Sequence, residues 1–157
     1  MAELRKVSLL FFLLLLSCSR IPELTPDALH AAQSRWEQSG PPNYRMVVET
    51  TSDRMEPSKY EVTVREKQIV KLERNGSPLQ PSAGDNSYSV EGLFQTMDQE
   101  IDLATKPQKL GAPPGYSSYP MARFDAATGR LLRFQRSVGG TKNSIEINVT
   151  AFEAMNP

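Results

Sequence analysis

The chain has 157 residues, 39% of them hydrophobic, with 18 basic and 18 acidic side chains and one cysteine. Balanced charge removes the electrostatic case for nucleic acid, which demands a clustered basic surface. A single cysteine and a single histidine exclude an intrachain disulfide and a four-ligand structural zinc site built from those residues.

The N-terminus opens on a short basic segment with Arg5 and Lys6, followed by the unbroken apolar run Leu9 to Leu16, and then Ser17, Cys18 and polar sequence. That order is the order of a secretory signal, so residues 1–17 are expected to be a signal peptide. The run is less than half the roughly 20 apolar residues a membrane-spanning helix needs. Leu15-Leu16-Ser17-Cys18 resembles the lipobox of bacterial lipoproteins, with Leu16 where a smaller residue is commoner. The resemblance implies that the Cys18 thiol takes a diacylglyceryl group, that cleavage falls just before it, and that palmitate-type acylation follows at the new amino group. Membrane lipid is then a partner through acylated Cys18, because two or more chains hold stably where one holds marginally. Ser19 follows where members of that class kept at the inner membrane often carry Asp, which favours the periplasmic side of the outer membrane. The alternative is an ordinary secretory signal with a chance cysteine near the cut. Removing Glu3, Arg5 and Lys6 leaves the mature chain near neutral, and roughly 140 residues suit one domain with one core.

After the lipidated Cys18, residues through 25 read as a tether, and 26–157 as a single domain. Thr25-Pro26-Asp27 carries a cap, a first-turn proline and an acid at the positive helix end, and Leu29, Ala32 and Trp36 form an apolar stripe. Gly40 and Pro41-Pro42 end this helix. Alternating apolar and polar residues predict strands over 44–51 and 59–65, with a tight turn at Glu66-Lys67 leading into 68–74. Residues 75–88 read as a loop. Ser89 caps a second helix running to Ala104, whose stripe is Val90, Leu93, Phe94, Met97 and Ile101, with Glu91, Asp98, Glu100 and Asp102 mostly off it. A loop over 107–120 precedes strands at 121–126, 130–138 and 144–152, joined by turns at Ala127-Thr128-Gly129 and Gly139 to Asn143.

Strands joined by short turns pair antiparallel. Two apolar helix stripes and one apolar sheet face cover each other best in two layers. The expected fold is α+β: a single antiparallel sheet of about five to six strands with two helices packed on one face.

Ser34-Arg35-Trp36 followed by Pro42-Asn43-Tyr44-Arg45 resembles the start of the bacterial family called domain of unknown function 6174. Ser89-Val90-Glu91-Gly92-Leu93-Phe94 resembles the start of its central helix, and Gly115-Tyr116 with Tyr119-Pro120 its Gly-Tyr-Pro loop, over roughly 30–153. The chain departs from the family at Thr50-Thr51-Ser52, where many members carry cysteine, at Glu66-Lys67, where relatives usually have glycine, and at Ser117-Ser118, which splits the Gly-Tyr-Pro unit. The resemblance implies an envelope lipoprotein domain of uncharacterised role, with no catalytic residues to carry over.

His30 is the only histidine, near the polar start of the first helix, and reads as a surface residue. Asp98, Glu100 and Asp102 stand two apart on a helix and point to different sides, which reads as a solvated acidic face, not a cation site. Gly139-Gly140 reads as a hairpin turn. No catalytic, cofactor or metal residues are assigned. Two candidates remain for partner binding. Tyr116 and Tyr119 in loop 111–120 either meet a partner or plug the edge of the core. Arg123, Arg130, Arg133 and Arg136 surround one hairpin and either meet anionic headgroups or glycan, or belong to a mixed surface with acids such as Asp125. The functional expectation is a non-enzymatic binding or assembly module with an envelope protein partner. The alternatives are a carboxylate-dependent envelope hydrolase and a carrier of a small apolar ligand between helix and sheet.

Overall fold

The computed structural model describes residues 20–82 and 86–156. The expected signal peptide, residues 1–17, and Cys18 lie outside the described residues, as does Pro157 at the end of the expected domain. Two helices, α1 (Pro26–Ser39) and α2 (Val90–Ala104), pack on one antiparallel sheet of seven strands. The strands are β1 (Tyr44–Ser52), β2 (Ser58–Arg65), β3 (Gln68–Arg74), β4 (Ser77–Leu79), β5 (Ser118–Phe124), β6 (Leu131–Val138) and β7 (Ile145–Ala154). Their spatial order is β4-β3-β2-β1-β7-β6-β5. Two meanders, each set by local turns, therefore lie side by side, joined where the first strand pairs with the last.

Five to six strands were expected, and the seventh is β4. It occupies three residues within the predicted loop 75–88 and pairs Leu72 with Leu79 and Arg74 with Ser77. Pro78 at its centre and its short length erase any periodic signal. Strand β5 begins at Ser118, three residues inside the predicted 107–120 loop, which also holds a 3-10 turn at Pro107–Leu110.

The helices form where the caps lie. The Thr25 hydroxyl accepts from the Ala28 amide at 3.2 Å and the Ser89 hydroxyl from the Gly92 amide at 3.0 Å. Leu29, Ala32 and Trp36 of α1 and Val90, Leu93, Phe94 and Met97 of α2 are buried against Tyr44, Met46, Val48, Tyr60, Val62, Val64 and Phe134. Each strand gives alternate side chains to that core, as in the pattern Tyr44, Met46, Val48 buried with Arg45 and Glu49 exposed. The other sheet face is open. It carries the ion pairs Lys59–Glu61 (2.9 Å), Lys71–Glu73 (3.2 Å) and Arg133–Glu146 (2.9 Å).

Residues 20–24 correct the expectation of a tether. Glu23 bridges antiparallel to Met121, the Leu24 amide donates to the Pro120 carbonyl at 2.9 Å, and the Ala122 amide to the Pro22 carbonyl at 3.0 Å. Leu24 is buried. The segment thus covers the outer edge of β5, where unpaired backbone groups would otherwise face water.

Candidate functional site

Strand register divides the molecule into two ends. At the first lie Arg20, the β5–β6 hairpin and the Glu66-Lys67 turn. Arg123 here donates to the Arg20 carbonyl at 3.3 Å. At the second lie the β1–β2 loop, the β6–β7 turn and the start of β5. The nine residues of β1 run from one end to the other, about 30 Å at the rise of an extended strand.

At the first end a partly buried polar network ties both helices to the sheet. Trp36 donates its indole N–H to Glu91 Oε1 at 2.9 Å, and the Tyr44 hydroxyl donates to Glu91 Oε2 at 3.1 Å. That hydroxyl also accepts from the Val90 amide at 3.0 Å, satisfying a donor at the start of α2. Trp36, Tyr44 and Phe152 pack ring against ring, with centroids 5.2–5.9 Å apart. Burial, then the Glu91 carboxylate, pushes the Tyr44 phenol far above its ordinary range, so it stays protonated. Asn43 accepts from the Glu66 amide at 2.9 Å and holds the β2–β3 turn. A side chain at Gly92 would fall 1.9 Å from the Asn86 carbonyl oxygen, and one at Gly40 would fall 2.5 Å from the Trp36 ring. The phrases 34–36, 42–45 and 89–94 therefore converge on one structural joint, and Glu91, expected off the apolar stripe of the second helix, belongs to it.

Near the second end, a buried ion pair corrects two further readings. Glu100, expected on the exposed acidic face, is 7% exposed, and Arg136, expected on a mixed surface, is 5% exposed. Arg136 Nη1 donates to both Glu100 oxygens at 3.0 and 3.1 Å, and Nη2 to Asn143 at 2.9 Å, which in turn donates to the Leu110 carbonyl at 2.8 Å. The four arginines are thus not one patch. Arg123 and Arg133 oppose each other across β5–β6 on the open face. Arg130 lies over the Phe152 ring at 4.8 Å, with Asp125 at 3.8 Å, and Arg136 is in the interior. Asp98 and Asp102 are exposed, as is His30. Among the described residues no three His, Cys, Asp or Glu side chains converge.

Among the described residues, two surfaces with exposed apolar side chains lie at the second end. Tyr116 and Tyr119 are 52% and 56% exposed. They stand outside the core, and Tyr116 lies over the Gly139-Gly140 turn, where a side chain at Gly139 would fall 2.8 Å from its ring. The second surface is a cleft of about 340 Å3 on the helix-bearing face, lined by Tyr60, Tyr88, Leu93, Ile145 and Ile147 with Met55 and Arg74 at its margin. It opens beside α2, whose Glu100 meets Arg136 of β6, and over the end of β1 and the start of β2. Sequence reasoning missed it, since its residues come from four strands, one helix and two loops. The one available signal was Met55, an apolar residue inside a polar loop and 69% exposed.

Residues 28–110 match the model of a family of unknown function, DUF6174. The match takes in α1 through the 3-10 turn, and with it the phrases of the structural joint. It stops short of Gly115-Tyr116 and Tyr119-Pro120, so the similarity expected as far as 153 is shown only to 110. No curated protein matches the chain. Among the described residues no helix is long and apolar enough to cross a membrane.

Proposed function

The chain belongs to the family of unknown function DUF6174, and we propose that it acts as a non-enzymatic binding module, lipid-anchored through Cys18 on the periplasmic side of the outer membrane. The observation that carries this reading is the opposition of the two ends. Arg20 is docked beside β5, and only Ser19 separates it from Cys18. Two residues of chain reach about 7 Å, so an anchor at Cys18 holds the first end against the headgroups. The exposed tyrosines and the cleft then face away from the bilayer, about 30 Å out, where an envelope protein can reach them. The carboxylates of α2 that face the sheet support a binding role over a hydrolytic one, since Glu91 and Glu100 are already bonded to Trp36, Tyr44 and Arg136.

The test has two readouts on the full chain expressed in a bacterium with an outer membrane. Mass spectrometry of the membrane-extracted protein should give an N-terminus at Cys18 carrying diacylglyceryl and acyl groups. A free thiol there, or another N-terminus, overturns the anchor. A photocrosslinking residue in place of Tyr116 should capture one dominant envelope protein, and the same residue in place of Lys67 should not. Equal capture from both ends, or none from Tyr116, overturns the assignment of the distal surface.

A further inference from the structure

We propose that the cleft between α2, the end of β1 and the start of β2 is a binding site for a small amphipathic anion, with an apolar body held in the cleft and one acidic head on Arg74. Its size falls within the range of about 300–1,000 Å3 usual for small-molecule sites. The walls are apolar where they are deepest. Leu93 is buried on α2, Ile147 is buried on β7, and Tyr60 and Tyr88 stack with centroids 3.8 Å apart. Such walls favour an apolar body by removing it from water.

The cation at the margin is held in place. Arg74 donates from Nε and Nη2 to the Ser58 hydroxyl at 3.1 and 2.9 Å, and its guanidinium lies 5.9 Å from the Tyr60 ring centroid. Among the described residues no carboxylate forms an ion pair with it, in contrast to Arg130, Arg133 and Arg136. Glu146, which also lines the cleft, is engaged by Arg133 at 2.9 Å and by Asn148 at 2.7 Å. Glu56 stands at the rim beside Met55, on the loop from β1 to β2. A guanidinium presents donors in a planar fork that suits a carboxylate, so the head group assigned here is a carboxylate. Thr50, Thr96 and Ser87 line the walls and add hydroxyl groups. The inference goes beyond the anchored-module reading and does not rest on lipidation.

Calorimetric titration of the full chain with octanoate and with neutral 1-octanol, each below its solubility limit, tests it. Octanoate should bind about tenfold more tightly than octanol, the preference expected of a charge-assisted contact. Arg74→Gln should remove that preference while leaving octanol affinity unchanged. Thr96→Phe, which fills the cleft from α2, should abolish binding of both. Methyl NMR of the wild-type chain keeps the test independent of variant folding: octanoate should shift Leu93, Ile145 and Ile147 and leave Val62 and Val64 in place. Absence of octanoate binding, equal affinity for the two probes, or shifts spread over the whole core overturns the proposal. An unlipidated Cys18 would sink the anchored-module reading and leave these results untouched.

Discussion

Tyr44 shows how one side chain can serve three demands. Its ring fills the core at 0% exposure, its oxygen satisfies the Val90 amide, and its proton holds Glu91. Removing the hydroxyl leaves a buried amide and part of a carboxylate unpaired, an asymmetry that costs more than the bond itself contributes. Tyr44→Phe should therefore destabilise the protein by about 2 kcal/mol with little change in ring packing, read as a lower urea midpoint at an unchanged slope. An effect below a few tenths of a kcal/mol would mean that Glu91 and the Val90 amide find other partners. The sequence showed Tyr44 as an inward strand residue by its alternation with Arg45. It could not show the role of the hydroxyl, because Glu91 is 47 residues away and meets it only when α2 lies across the sheet.

The β2–β3 hairpin illustrates the same division at the scale of an element. Its position was legible from two alternating runs with two residues between them. Glu66 and Lys67 both adopt positive φ, 48° and 63°, which fits the right-handed strand twist but suits Asn-Gly far better than these two residues. The turn survives because Asn43 and the Pro42 carbonyl accept the amides of Glu66 and Lys67. Lys67→Gly should stabilise the protein by about 1 kcal/mol, since the left-handed penalty on a side chain is removed. A thermal melt that stays or falls would show that the Lys67 side chain contributes contacts outweighing its backbone strain. Strand β4 was illegible for a related reason: three residues around a proline carry no period, and it exists only because β3 offers an edge.

The whole molecule is held by long-range pairings that no local pattern encodes. β1 and β7 are about 100 residues apart, yet Tyr44 to Ser52 pairs with Ala154 to Ile145. The Glu100–Arg136 pair fastens α2 to the second meander, and its burial gives the stability curve a pH signature. Burial raises the Glu100 carboxyl above its ordinary value, and Arg136 offsets only part of this. The folded state therefore holds a proton that the unfolded state has lost, so this group's contribution declines as pH rises from the ordinary carboxylate value to the raised one. Asp53, Glu61, Asp102 and Asp125 are lowered, chiefly by hydrogen bonds from Ser144, Lys59, Lys106 and the Thr128 amide. Their contribution is present above the unfolded pKa and lost as pH falls through the folded one. Urea midpoints should rise through the acid range and then fall slightly above it. Glu100→Gln should remove the fall and, by leaving Arg136 buried without its counter-charge, lower stability by about 3–5 kcal/mol. A fall that persists in this variant would assign it to another group.

By itself the sequence determined the local order of the protein: two capped helices, five of the six predicted strands within a residue or two of their bounds, the hairpin turns, and the residues that mark the family. These depend on periodicity and on turn and cap chemistry acting within a few residues, so they are written where they act. Only the tertiary structure decided that residues 20–24 cover the β5 edge, that β1 and β7 form the central seam, that Glu100 and Arg136 meet in the interior, and that a cleft opens beside Tyr60. Each of these depends on which surfaces are left uncovered once the two meanders join and α2 packs across them. The placement of α2 rests on packing and on the Glu100–Arg136 pair, interactions between residues far apart in the chain whose individual types carry no sign of their future neighbours.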